Sequence, residues 1–68
     1  MLSARNQFKG TIKSLKLGGV MAEVVVGVGS NIEVVSVITR TSAERMKLEE
    51  GDTVTAVVKA TEVMISKG

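Results

Sequence analysis

Hydrophobic and polar positions alternate through residues 7–15, "QFKGTIKSL". Phe8, Gly10, Ile12 and Ser14 fall on one side, and Lys9, Thr11, Lys13 and Leu15 on the other. A period of two predicts a strand. "KLGGV" interrupts it, and the pair Gly18-Gly19 predicts a hairpin turn. Residues 20–28, "VMAEVVVGV", are rich in β-branched side chains and predict a second strand. "GVGSN" supplies the next turn, and residues 32–39, "IEVVSVIT", a third strand.

The rhythm changes at Thr41. Glu44 stands three residues after it, the spacing of a capping box, and "TSAERMKLEEGD" predicts a short helix closed on its apolar side by Leu48. Gly51-Asp52 opens a loop. Residues 53–59, "TVTAVVK", predict a fourth strand with Val54, Ala56 and Val58 on one face. "ATE" predicts a tight turn, and residues 63–66, "VMIS", a short fifth strand. Five antiparallel strands with a helix between the third and fourth is the plan of an all-β, five-stranded OB-fold-like barrel. An SH3-like barrel shares those elements and is the rival architecture.

Valines occupy both faces of three strands: Val24 and Val25, Val34 and Val35, Val57 and Val58. A monomer would expose one set, so the pattern predicts an assembly of copies. Length points the same way. Residues 1–68 make a single domain, and so short a chain buries only roughly 60% of its unfolded surface. Disulfides, structural metal or self-association commonly support such folds. The sequence has no cysteine or histidine, which leaves self-association.

Catalysis has few instruments here. Without His, Cys or Tyr, acid–base work would fall to carboxylates or lysine. Glu44, Glu49, Glu50 and Asp52 cluster around the helix, where helix-end charge and solubility explain them. No Lys-Ser or Lys-Thr pair follows "GVGS" or "LGGV", so neither glycine turn is a phosphate-cradling loop. Nucleic-acid barrels stack bases on exposed aromatics, and Phe8 is the sole aromatic. A net charge of +2 is too mild to imply nucleic acid by itself. No run approaches the ~20 apolar residues that span a bilayer, and the start lacks a signal-peptide pattern. A cytoplasmic protein that is not an enzyme and engages neither nucleic acid nor membrane is expected.

The remaining signal is polar and lies near both ends. Ser3, Arg5 and Asn6 precede the first strand; Lys59, Ala60 and Thr61 form the turn after the fourth. First and last strands of a small barrel are commonly neighbours, so the clusters can meet within a subunit or across an interface. They offer a guanidinium, an ammonium, hydroxyls and turn amides. A tetrahedral oxyanion, an acceptor only, needs such a shell, with charge-assisted hydrogen bonds its strongest members. Solvated surface cations are the plainer reading of the same residues.

"SARNQFKG" and "VVKATEVMI", with "VMAEV" and "SVIT" between them, resemble the molbindin family, small cytoplasmic molybdate-binding proteins made of one Mop domain. The likeness covers essentially the whole chain. Nothing in it resembles a helix-turn-helix or an ATPase core, so the free-standing form of the module is expected. The resemblance implies an OB-like subunit in a hexamer that holds molybdate, and also tungstate, between subunits for storage or homeostasis. It implies no catalytic residue, no catalytic cofactor and no bare metal cation.

Carried over by position, Ser3 would offer its hydroxyl, Ala4 its backbone and Arg5 its charge, with Asn6 positioning the N-terminal segment. Lys59 would add the second charge, and Ala60 and Thr61 their amides. Many relatives have serine at position 60, so Ala60 removes one hydroxyl donor. The resemblance also implies a second oxyanion site near the symmetry axis. Its candidates are Gly19, Val20, Met21 and Ala22, together with Ser36, Val37, Ile38 and Thr39. The alternative is an OB-fold interaction or nucleic-acid-binding module with no oxyanion ligand.

Overall fold

The computed structural model describes residues 4–68. Its frame is β1 (Asn6–Leu17), a 12-residue strand that serves two partners. Its first half pairs antiparallel with β4 (Thr53–Val58), from Asn6↔Val58 to Thr11↔Thr53. Its second half pairs antiparallel with β2 (Met21–Val28), from Thr11↔Gly27 to Leu17↔Ala22. β2 in turn pairs with β3 (Ile32–Thr39), which gives one four-stranded antiparallel sheet in the order β3-β2-β1-β4.

The changeover in β1 has a local cause. The register slips between Ile12 and Ser14, so Lys13 is an extra, bulged residue. A bulge bends its strand and increases the twist. The simple alternation predicted for residues 7–15 therefore fails at Lys13. Ile12, at 1% exposure, and Leu15 both turn to the core, although strict alternation puts them on opposite faces. Gly10 lies just before the bend, where a β-carbon would collide with the Gly27 carbonyl oxygen and crowd Val26. Only glycine lets the two backbones come so close.

Ile12, Val24 and Val26 form the buried centre, with Leu15, Val28, Ile38, Leu48 and Val54 packed around them. Ile12 is also tied to the loop before β4. Its N–H donates to the Asp52 carbonyl and its own carbonyl accepts from Gly51 N–H, both at 2.9 Å. Gly51 has φ +92°, a region that favours glycine.

The helix, α1, spans Arg40–Arg45 and starts earlier than the capping-box spacing at Thr41 predicts. Its cap is Thr39, whose hydroxyl oxygen accepts from Ser42 N–H at 3.1 Å. The β3 ladder ends at Thr39, paired with Met21. The next residue, Arg40, donates its N–H to the Val20 carbonyl at 2.7 Å, and this turns the chain into the helix. Ala43 is the buried residue of α1. At the far end, Lys47 takes φ +53°. Leu48 N–H donates to Ala43 O and Lys47 N–H to Glu44 O, the two bonds of a Schellman ending.

The predicted fifth strand is absent from the described residues. Ala60–Glu62 is a single 3₁₀ turn, and residues 63–68 have no regular structure. A strand at 63–66 needs an edge to pair with, and the segment stands clear of the sheet, with Met64 93% and Ile65 90% exposed. The sheet is accordingly open and its barrel is not closed. A groove of about 690 Å³ runs between its two edges, lined by residues 34–38 of β3, residues 54–58 of β4 and Lys59 after it. Val35 and Val37 are 62% and 61% exposed, and Val57 is exposed too. Both valine faces exist as the sequence predicts, and the isolated chain covers one of them.

Candidate functional site

The β1–β4 ladder brings the two polar ends together. Asn6 is paired with Val58, so Arg5 is the next residue out along one strand and Lys59 the next along its neighbour. Ala4 is held by the Gln7 side chain, whose amide nitrogen donates to the Ala4 carbonyl at 2.8 Å. Gln7 is a residue the sequence pattern does not single out; its place three positions after Ala4 is the only signal. Asn6 opens the strand. Ser3 lies outside the described residues.

The turn after β4 supplies the other half. Lys59 leaves the strand in an extended conformation (φ −63°, ψ 138°) and its carbonyl accepts from Glu62 N–H at 2.9 Å. Among the described residues the amides of Ala60 and Thr61 have no hydrogen-bond partner. Such free N–H groups at a turn are anion donors. Arg5, Lys59, Ala60 and Thr61 are all at the surface. Glu62 closes the turn as an acidic residue, which the residue-type reading overlooks. The arrangement can hold an acceptor-only group by two cations and two amides.

The second set of candidates is only partly united. The β2–β3 register places Met21 opposite Thr39 and Ala22 opposite Ile38. Beside them is a recess lined by Gly19, Val20, Thr39, Arg40, Thr41 and Glu44. Gly19, Val20 and Thr39 therefore meet there. Ala22 is buried in the sheet, while Ser36, Val37 and Ile38 line the apolar groove. Arg40, Thr41 and Glu44 also line the recess, and the sequence pattern does not single them out as candidates. An arginine directly after a strand, with a glutamate four residues on, was the available signal. The two clusters lie at opposite ends of β1.

The TOBE domain family model matches residues 2–65. Molybdenum-pterin-binding protein 2 of Clostridium pasteurianum is 47% identical over 64 residues, which are 94% of this chain and 94% of the relative. The solved structure of MopII from Clostridium pasteurianum superposes with a TM-score of 0.92 at 45% identity, covering 98% of this chain and 100% of that one. A molybdate binding protein from Sporomusa ovata also reaches 0.92, at 40% identity, with 98% of each chain covered.

Proposed function

Since the chain belongs to the molbindin family of TOBE domains, we propose that it binds molybdate, and tungstate likewise, for storage and homeostasis in the cytoplasm. One observation carries the reading: the Asn6–Val58 pairing sets Arg5 beside a turn with an ammonium and two amides that no described residue engages. A dianion leaving water needs positive charge and hydrogen bonds in place of its hydration. Arg5 and Lys59 supply the charge. Ala4, Ala60 and Thr61 supply backbone contacts, and Ser3 a hydroxyl. The protein works by binding, without catalysis.

The binding form is a homo-oligomer, a hexamer, with sites between subunits. Exposed Val35, Val37 and Val57 and the projecting Met64 and Ile65 support association, because apolar surface of this extent is costly in water. In the assembly, residues 63–66 of a neighbouring copy act as the fifth strand, fill the groove and complete the barrel. A second oxyanion site occupies the recess beside the β1–β2 turn.

Equilibrium dialysis of the pure protein against molybdate, tungstate, sulfate and phosphate, with metal analysis, tests the reading. Molybdate and tungstate should compete with each other and exclude sulfate, since a shell fixed by backbone cannot shrink around a smaller ion. Retention of neither would overturn it. Mass spectrometry of the as-purified protein separates a bare oxyanion from an organic molybdenum complex.

A further inference from the structure

Arg40 is anchored more completely than any other described cation. Its backbone N–H donates to Val20 O at 2.7 Å, one terminal guanidinium nitrogen donates to Gly18 O at 3.0 Å, and Nε donates to Glu44 Oε2 at 3.2 Å. The first two bonds clasp the β1–β2 turn from both sides of Gly19. The third is an ion pair one helical turn long, with both side chains about half exposed. Such a pair contributes little to stability. A guanidinium has five N–H donors; described residues engage two of them, on a side chain already held in place.

We infer that the Arg40–Glu44 pair sets the charge and selectivity of the recess, with Arg40 the cationic contact for an oxyanion and Glu44 its internal competitor. The short helix contributes no amide site of its own, because Thr39 already caps it through Ser42 N–H. Charge in the recess therefore rests on these two side chains, which face it together with the neutral Gly19, Val20, Thr39 and Thr41. An arginine fixed by a carbonyl and a carboxylate meets a planar pair of acceptors at little entropic cost. Glu44 holds the fork in place and also opposes any dianion that approaches it.

The inference rests on the recess being the second oxyanion site, and the experiment separates the two. Molybdate dialysis is run on the full chain carrying Lys59→Ala, which weakens the first site, alone and combined with Arg40→Ala, Arg40→Lys or Glu44→Gln. Arg40→Ala should weaken the residual sites about tenfold, the effect of one charge-assisted contact. Arg40→Lys keeps the charge without the fork and should recover part of that loss. Glu44→Gln should tighten binding about threefold or more by removing a like charge beside the anion. A purely structural ion pair predicts the opposite sign, since its loss would loosen Arg40. Unchanged or weaker binding in Glu44→Gln overturns the charge-setting role while leaving the second site standing. Absence of any residual molybdate in Lys59→Ala alone overturns the second site and the inference with it.

Discussion

Asn6 and Val58 face each other across β1 and β4, and through that pair the N-terminal arginine and the C-terminal lysine turn become neighbours. Arg5→Ala and Lys59→Ala should each cost about 1.5–3 kcal/mol of molybdate binding, or ten- to a hundredfold in affinity. Their double variant should lose less than the sum, because both act on one ligand. Arg5→Lys should recover only part of the loss, as it lacks the planar fork. Titration calorimetry on the four variants and the unmodified protein measures this. Unaltered affinity and stoichiometry in Arg5→Ala would mean that the N-terminal cluster is a solvated end.

The approach of Gly10 to Gly27 makes a sharper stability prediction. A β-carbon on Gly10 meets backbone, which cannot rotate away. Gly10→Ala should destabilise by about 1–3 kcal/mol, as other overpacked sites do. A β-carbon on Gly27 meets the Lys13 side chain instead, which can swing aside. Thermal melts should therefore rank Gly10→Ala well below Gly27→Ala, and equal melting temperatures would refute the argument.

Assembly is checked through the projecting end. Light scattering of the unmodified protein should give about six times the 7.2 kDa chain mass, as a homo-hexamer requires. Ile65→Asp places a charge on a 90% exposed residue, so it should leave an isolated chain unharmed yet break the oligomer. A monomer at micromolar concentration in the unmodified protein would refute the hexamer.

Lys47 offers a gain. It sits at φ +53°, where a side chain costs roughly 1–2 kcal/mol and glycine is relieved of that strain. Glycine loses more backbone entropy on folding, about 0.5–1 kcal/mol. Lys47→Gly should therefore stabilise by about 0.5–1 kcal/mol, read as a rise in melting temperature.

The parts of this fold written in local pattern were legible. β3 matches residues 32–39, and β2 and β4 agree with their predicted spans to within a residue. Misreadings arose where a distant partner decides the outcome. β1 runs on to Leu17 because β2 pairs with it past the bulge at Lys13, an irregularity that no two-residue period reveals. α1 begins at Arg40 because the Val20 carbonyl captures its N–H, which overrides the Thr41–Glu44 spacing. "VMIS" has the composition of a strand, but a strand also needs an edge, and composition does not say whose. The two polar clusters were visible in residue types, only the resemblance singled them out as a candidate oxyanion site, and the ladder brings Arg5 and Lys59 onto neighbouring strands. Arg40 and Glu44 escaped notice because an exposed arginine and glutamate four apart read as ordinary helix surface.

The double pairing of β1 also imposes an order in time. Leu17 and Ala22 are close in the chain, whereas Asn6 and Val58 are 52 positions apart. Local hairpins close fast and distant pairs slowly. The β1–β2–β3 meander can thus form while the chain still emerges from the ribosome, and β4 docks last. Arg5 comes beside Lys59 only at that final docking, so an anion held by both, as proposed, would latch the last folding step, slowing the detachment of β4 rather than hastening the first turn.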